Sequence, residues 1–168
     1  MPIELTDIPA ATASYLDTQV SMTVSAVTPK KPNQDVLTPG QDGTFTVTVT
    51  NAAAPDGVGL TNVTYHVKIN DGSVAKLIVP ESGMVTSSDK LIGGTTLPRG
   101  SKQTEMFVTL LTDTTLGAGE SQPPINIDVH CVDQGDAKIT CHIHADIDQS
   151  DLFPTSQCPN GEQAVTVV

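Results

Sequence analysis

Thr38-Pro-Gly-Gln-Asp-Gly-Thr-Phe-Thr-Val-Thr-Val-Thr-Asn51 decides the fold, together with its echo Leu60-Thr-Asn-Val-Thr-Tyr-His-Val-Lys-Ile69. Side chains on a strand alternate faces with period 2, so Phe45, Val47 and Val49 share one face and Thr44, Thr46, Thr48 and Thr50 the other. The pattern predicts a strand buried on one side only, entered through a Pro-Gly turn. Val63, Tyr65, Val67 and Ile69 repeat the apolar face in the second stretch. Outward from this pair, alternation recurs over Val20–Thr28, Ser73–Val79, Gln103–Thr112, Ile125–Val132 and Ala137–Ala145, with shorter pieces at Met84–Thr86 and Lys90–Ile92. Asp71-Gly72 carries the residue signal of a two-residue hairpin turn. Seven or eight strands at this spacing, with no long helical period, predict an all-β antiparallel two-sheet sandwich.

The composition agrees. Threonine and valine supply 23 and 18 of the 168 residues, a bias toward pleated, half-buried surfaces. Tryptophan is absent and aromatics make up 3%, so an aromatic ligand platform is excluded. The net charge of −11 arises from 19 acidic residues against 8 basic ones, and Arg99 is the one arginine. Phosphate backbones reward clustered lysine and arginine, so no nucleic-acid partner is expected. No stretch approaches the roughly 18 apolar residues that would span a bilayer, and membrane insertion is not expected. Met1-Pro-Ile-Glu-Leu-Thr-Asp7 has neither a basic nor an apolar region of a secretory leader, which favours use without export over removal of an earlier signal.

Three segments are predicted: an extended N-terminal arm over 1–19, the sandwich over 20–146, and a C-terminal tail over 147–168 in which Ala164–Val168 could supply an edge strand. Pro39-Gly40, the strand Phe45–Thr50 ending in Asn51, and Leu60-Thr-Asn-Val63 resemble the immunoglobulin-like repeat modules of bacterial and archaeal surface proteins. Leu97-Pro-Arg-Gly-Ser101 resembles their second turn. The resemblance spans 20–146 in outline and implies an immunoglobulin-like sandwich without catalytic residues. The chain departs from those modules in its single copy, its flanking arms and its three cysteines. Decoration and auxiliary proteins of tailed phage virions also carry such modules. An acidic single sandwich without an export signal is therefore expected to be a virion-associated, non-enzymatic component that docks on a capsid or other repetitive protein assembly, or forms a homo-oligomer. A cell-surface or secreted adhesion or stalk module is the alternative.

Chemistry-capable residues gather in 125–145. Read as a hairpin with its loop at Gly135-Asp-Ala137, this stretch sets Cys131 opposite Cys141, His130 opposite His142, and His144 opposite Asp128. Cys131 and Cys141 are then either buried free thiols, favoured without export, or a cross-strand disulfide. Cys158 is unpaired on this reading. His130, His142 and His144 form a weak candidate zinc triad, against the plainer expectation of polar side chains on a solvated face; no metal or other cofactor is expected. His66 receives no role. Asp146-x-Asp148-x-Ser150 has the spacing that opens a calcium loop, but Asp151 stands where the turn glycine belongs, and an acidic strand exit is expected instead.

Overall fold

The computed structural model describes residues 20–53, 59–81, 83–88, 94–110, 115–147 and 156–168; His144, Asp146, Ile147 and residues 156–160 are described by their backbone alone. The arm 1–19 and the piece at Lys90–Ile92 lie outside the described residues. The described residues form eleven strands: β1 (Val20–Val24), β2 (Thr28–Pro29), β3 (Asp42–Asn51), β4 (Leu60–Ile69), β5 (Ala75–Ile78), β6 (Met84–Thr86), β7 (Lys102–Gln103), β8 (Glu105–Thr109), β9 (Ile125–Cys131), β10 (Gly135–Ile147) and β11 (Ser156–Val167). No described residue lies in a helix. The first sheet runs β1-β3-β9-β5-β7, with β2 also on β3, and the second runs β11-β10-β4-β8-β6. All strand pairs are antiparallel, and the two sheets form an immunoglobulin-like sandwich.

The predicted faces hold. Phe45, Val47 and Val49 are 1%, 0% and 0% exposed. Across the interior they meet the apolar face of β4, where Val63, Tyr65 and Val67 are buried. Ile125, Ile127, Val129 and Cys131 of β9 and Ile139, Cys141, Ile143 and Ala145 of β10 join the same core. Burial of this aliphatic surface dominates the stabilisation.

The predicted hairpins are corrected. β9 pairs with β3 and β5 in the first sheet, whereas β10 pairs with β4 and β11 in the second, so 125–145 crosses between sheets. The same holds at Asp71-Gly72, where β4 leaves the second sheet and β5 enters the first. There the Asp71 carbonyl accepts from the amides of Val74 and Ala75, while its carboxylate takes the amide and hydroxyl of Ser73. That tight coil replaces the two-residue hairpin turn. The reason is general: alternation states whether a side chain faces the core, and both inner faces of a sandwich are apolar, so it does not state which sheet holds the strand.

Two predicted strands are also divided. Val20–Thr28 is interrupted between β1 and β2, both paired with β3. Gln103–Thr112 switches sheets at Thr104: Gln103 pairs with Leu77, and Glu105 pairs with Lys68. The stretch read as a tail carries β11, which forms an edge of the second sheet along β10 and bulges between His142 and His144. Gln163 Nε2 donates to the Val24 carbonyl at 2.7 Å and so ties this edge to β1. Gly161 lies where the two edges meet; a Cβ there would stand 2.5 Å from Val24 Cγ2.

Candidate functional sites on the two outer faces

The histidines proposed as a triad do not converge. His130 is on β9 in the first sheet, and His142 and His144 are on β10 in the second. The pairings of His130 with His142 and of His144 with Asp128 are thus corrected: His130 stands opposite Asp42 and Lys76, and Asp128 opposite Thr44 and Ile78. His142 stands opposite His66, and His144 opposite Thr64. Among the described residues no three His, Cys, Asp or Glu side chains are placed to hold a metal ion. Asp146 lies within β10 opposite Thr61, whereas Asp148, Ser150 and Asp151 lie outside the described residues.

Cys131 and Cys141 are not ladder partners either, since their strands belong to different sheets. Both are buried and free. Burial pushes the Cys141 thiol up to about 12, and burial together with the Asp42 carboxylate raises Cys131. Thiols held neutral in this way are poor nucleophiles. Cys158 falls within β11 by its backbone.

The second sheet's outer face is built around His66, to which the sequence reading gave no role. One register row crosses the sheet as Thr86, Phe107, His66, His142 and Asn160. The His66 and Phe107 rings stack with centroids 4.1 Å apart and planes inclined by 12°. His142 lies beyond, its ring centroid 5.8 Å from that of His66. Glu105 Oε2 is 3.3 Å from His66 Nε2 and 3.3 Å from Lys68 Nζ. Burial pushes the Glu105 carboxyl up, but the hydrogen bonds and positive charge of His66 and Lys68 outweigh it and hold the group below the usual glutamate range. The available sequence signal was parity: His66 shares the outward face of its strand with Lys68, opposite the buried Tyr65 and Val67.

His142 is half-buried, and its Nδ1 has no hydrogen-bond partner among the described residues. Burial, then the positive charges of His66 and Lys68, lower its pKa from the ordinary 6.5, with Glu162 opposing. The folded chain thus favours neutral imidazole, while the unfolded chain takes up a proton more readily. Stability from this group is full above pH 6.5 and falls away as pH drops through the lowered folded value. We expect urea midpoints to fall between about pH 7 and pH 5, and the fall to be smaller in His142→Gln. A pH slope identical in the variant would show that another group carries it.

The first sheet's outer face holds the second set. His130 Nδ1 lies 2.8 Å from Asp42 Oδ1, and Lys30 Nζ lies 2.7 Å from Asp128 Oδ2. The hydrogen bond and charge of Asp128 raise the Lys30 pKa. These pairs border an open concavity of about 680 Å³ that also takes in Lys31, Ile78 and Lys102.

No family model and no curated protein matches the sequence. Among solved structures, AvmM, described as catalysing macrocyclization in alchivemycin A biosynthesis, is similar with a TM-score of 0.52 and 13% identity, over 90% of this chain and 89% of that one. A CARDB domain from Pyrococcus furiosus has a TM-score of 0.48 and 14% identity, over 89% of this chain and 94% of that one. The human F-spondin reeler domain has a TM-score of 0.41 and 10% identity, over 90% of this chain and 91% of that one. At this identity the likeness to AvmM bears on the fold alone.

Proposed function

We propose that this chain is a non-enzymatic structural and interaction protein, and specifically a virion-associated decoration or auxiliary component of a tailed phage. The observation that carries the reading is the position of β1. It is an edge of the first sheet, and the chain enters it directly from the segment 1–19. A sheet edge offers unpaired amides and carbonyls, and extended segments join such edges by main-chain pairing. A decoration protein needs such a docking element beside a packed core, and among the described residues the core extends from Val20 to Val167. Among the described residues no helix is long and apolar enough to cross a membrane.

The alternative, a cell-surface or secreted adhesion or stalk module, draws on the two turns that carry the sequence resemblance. Gly40 and Gly100 both adopt left-handed backbone, at φ 86° and 78°. Only glycine enters that region freely, which accounts physically for the glycine at each of these turns.

Deleting residues 1–19 is expected to leave a folded sandwich that associates more weakly with the particle, because the first strand among the described residues begins at Val20. Co-sedimentation with purified virions, with circular dichroism as the folding control, checks both halves. Undiminished association of the truncated chain, or its recovery from the cell surface instead of from particles, would overturn the virion reading.

A further inference from the structure

Positive charge is unevenly placed on this acidic chain. Four of its eight lysines and arginines gather at the outer face of the first sheet. Lys30, Lys31 and Lys102 line the concavity beside His130, and Lys76 stands on β5 directly opposite His130. Lys76 alternates with the buried Ala75 and Leu77, which places it on the outward face. Among the described residues the acids of this face are Asp42, Asp128 and, at its rim beside Ile78, Glu81, so four lysines meet three carboxylates.

Both aspartates are already engaged, Asp128 with Lys30 and Asp42 with His130. The other ion pairs of the described residues involve His66, Lys68 and Lys138 on the second sheet. Lys31, Lys76 and Lys102 therefore have no carboxylate at ion-pair distance among the described residues. Ile78 lies on the same face, paired across the ladder with Lys102 on one side and Asp128 on the other. A half-exposed isoleucine flanked by uncompensated lysines offers an apolar contact within a cationic rim.

We propose that this concavity binds a carboxylate-rich segment of a partner protein, with Lys31, Lys76 and Lys102 facing its carboxylates and Ile78 receiving an apolar side chain. The proposal rests on the interaction reading above and adds where the partner sits and what chemistry it presents. The lining selects carboxylate over phosphate for two reasons. Lysine ammonium groups are point charges that suit scattered carboxylates, and no guanidinium lines the concavity to grip phosphate with two parallel hydrogen bonds. Asp42 and Asp128 would also repel densely charged phosphate. A second copy of the chain is disfavoured as the occupant because two molecules at net charge −11 repel.

Isothermal titration of the full chain with a short synthetic Glu/Leu peptide tests this. The expected result is saturable binding that weakens as salt is raised past about 0.15 M. In Lys31→Glu/Lys102→Glu, binding is expected to fall at least about tenfold, because the charge complementarity is reversed. Lys68→Glu/Lys138→Glu, which makes the same charge change on the second sheet, is expected to bind like the parent; a single cooperative urea transition confirms that both variants are folded. The site is refuted by no binding to the parent, by equal losses in the two variants, or by displacement of the peptide by equimolar inorganic pyrophosphate. Self-association that depends on Lys31 and Lys102, seen by sedimentation, would refute it in favour of a second copy. Because the peptide reports on the concavity alone, its failure is distinguishable from failure of the arm deletion, which reports on the particle.

Discussion

Phe45→Ala is expected to lower the unfolding free energy by about 3–5 kcal/mol. Phe45 is 1% exposed and is one of the two large aromatic rings in a core otherwise built of aliphatic side chains, methionine and cysteine. Its strand is held on both sides, by β1 and by β9, so the backbone has little freedom to close the void. Loss of transfer energy and the residual cavity therefore add. The adjacent Thr46→Ala is the control. Its hydroxyl bonds to Asn126 Oδ1 at 2.7 Å on the outer face, a solvent-exposed contact whose loss costs under about 1 kcal/mol. Urea unfolding of the two variants checks the pair of values. Comparable losses would mean that β3 presents its faces the other way round.

Gly83→Ala is expected to cost about 2–4 kcal/mol, by a mechanism unrelated to cavities. Gly83 has φ 81°, and it leads into β6 immediately before Met84, which pairs with Thr109. A Cβ at this position would stand 2.8 Å from the Thr109 carbonyl oxygen, a backbone atom of β8 that cannot rotate away. Left-handed strain and overpacking therefore add. Gly40 separates them: its φ of 86° is equally left-handed, but nothing lies within 4 Å of a Cβ built there. Gly40→Ala should cost only the conformational part, about 1–2 kcal/mol. If the two alanine variants unfold at the same urea concentration, the contact with Thr109 contributes nothing and the strain is purely local.

Which side of each strand faces the core was legible in the residues themselves, because the pleat allows only two directions and burial sorts polar from apolar side chains along β3 and β9. The turns at Pro39-Gly40 and Pro98-Arg-Gly100 were legible for a similar reason, since left-handed backbone selects glycine. Strand partnership was not. Asp71-Gly72 and Gly135-Asp-Ala137 carry local turn signals, but the chain passes between sheets at the first, and the second, read as a loop, lies inside β10 paired with β11, the crossing falling between Cys131 and Gly135.

The candidate sites inherit that limit. The odd-numbered cysteines of 131 and 141 were rightly placed inside, yet they enter the core from opposite sheets. His130 was rightly placed outside, but its neighbours are Asp42 and Lys76, which lie 88 and 54 positions away in sequence. His66 gained a role because β4 runs beside both β8 and β10, bringing Phe107, Glu105 and His142 to its flanks. Periodicity is a property of neighbouring residues and fixes direction; company across a sheet depends on which strands pair, a choice made by the whole core at once. The sequence by itself thus determined the class, the inner faces and the glycine turns, and the tertiary structure alone decided which polar residues meet.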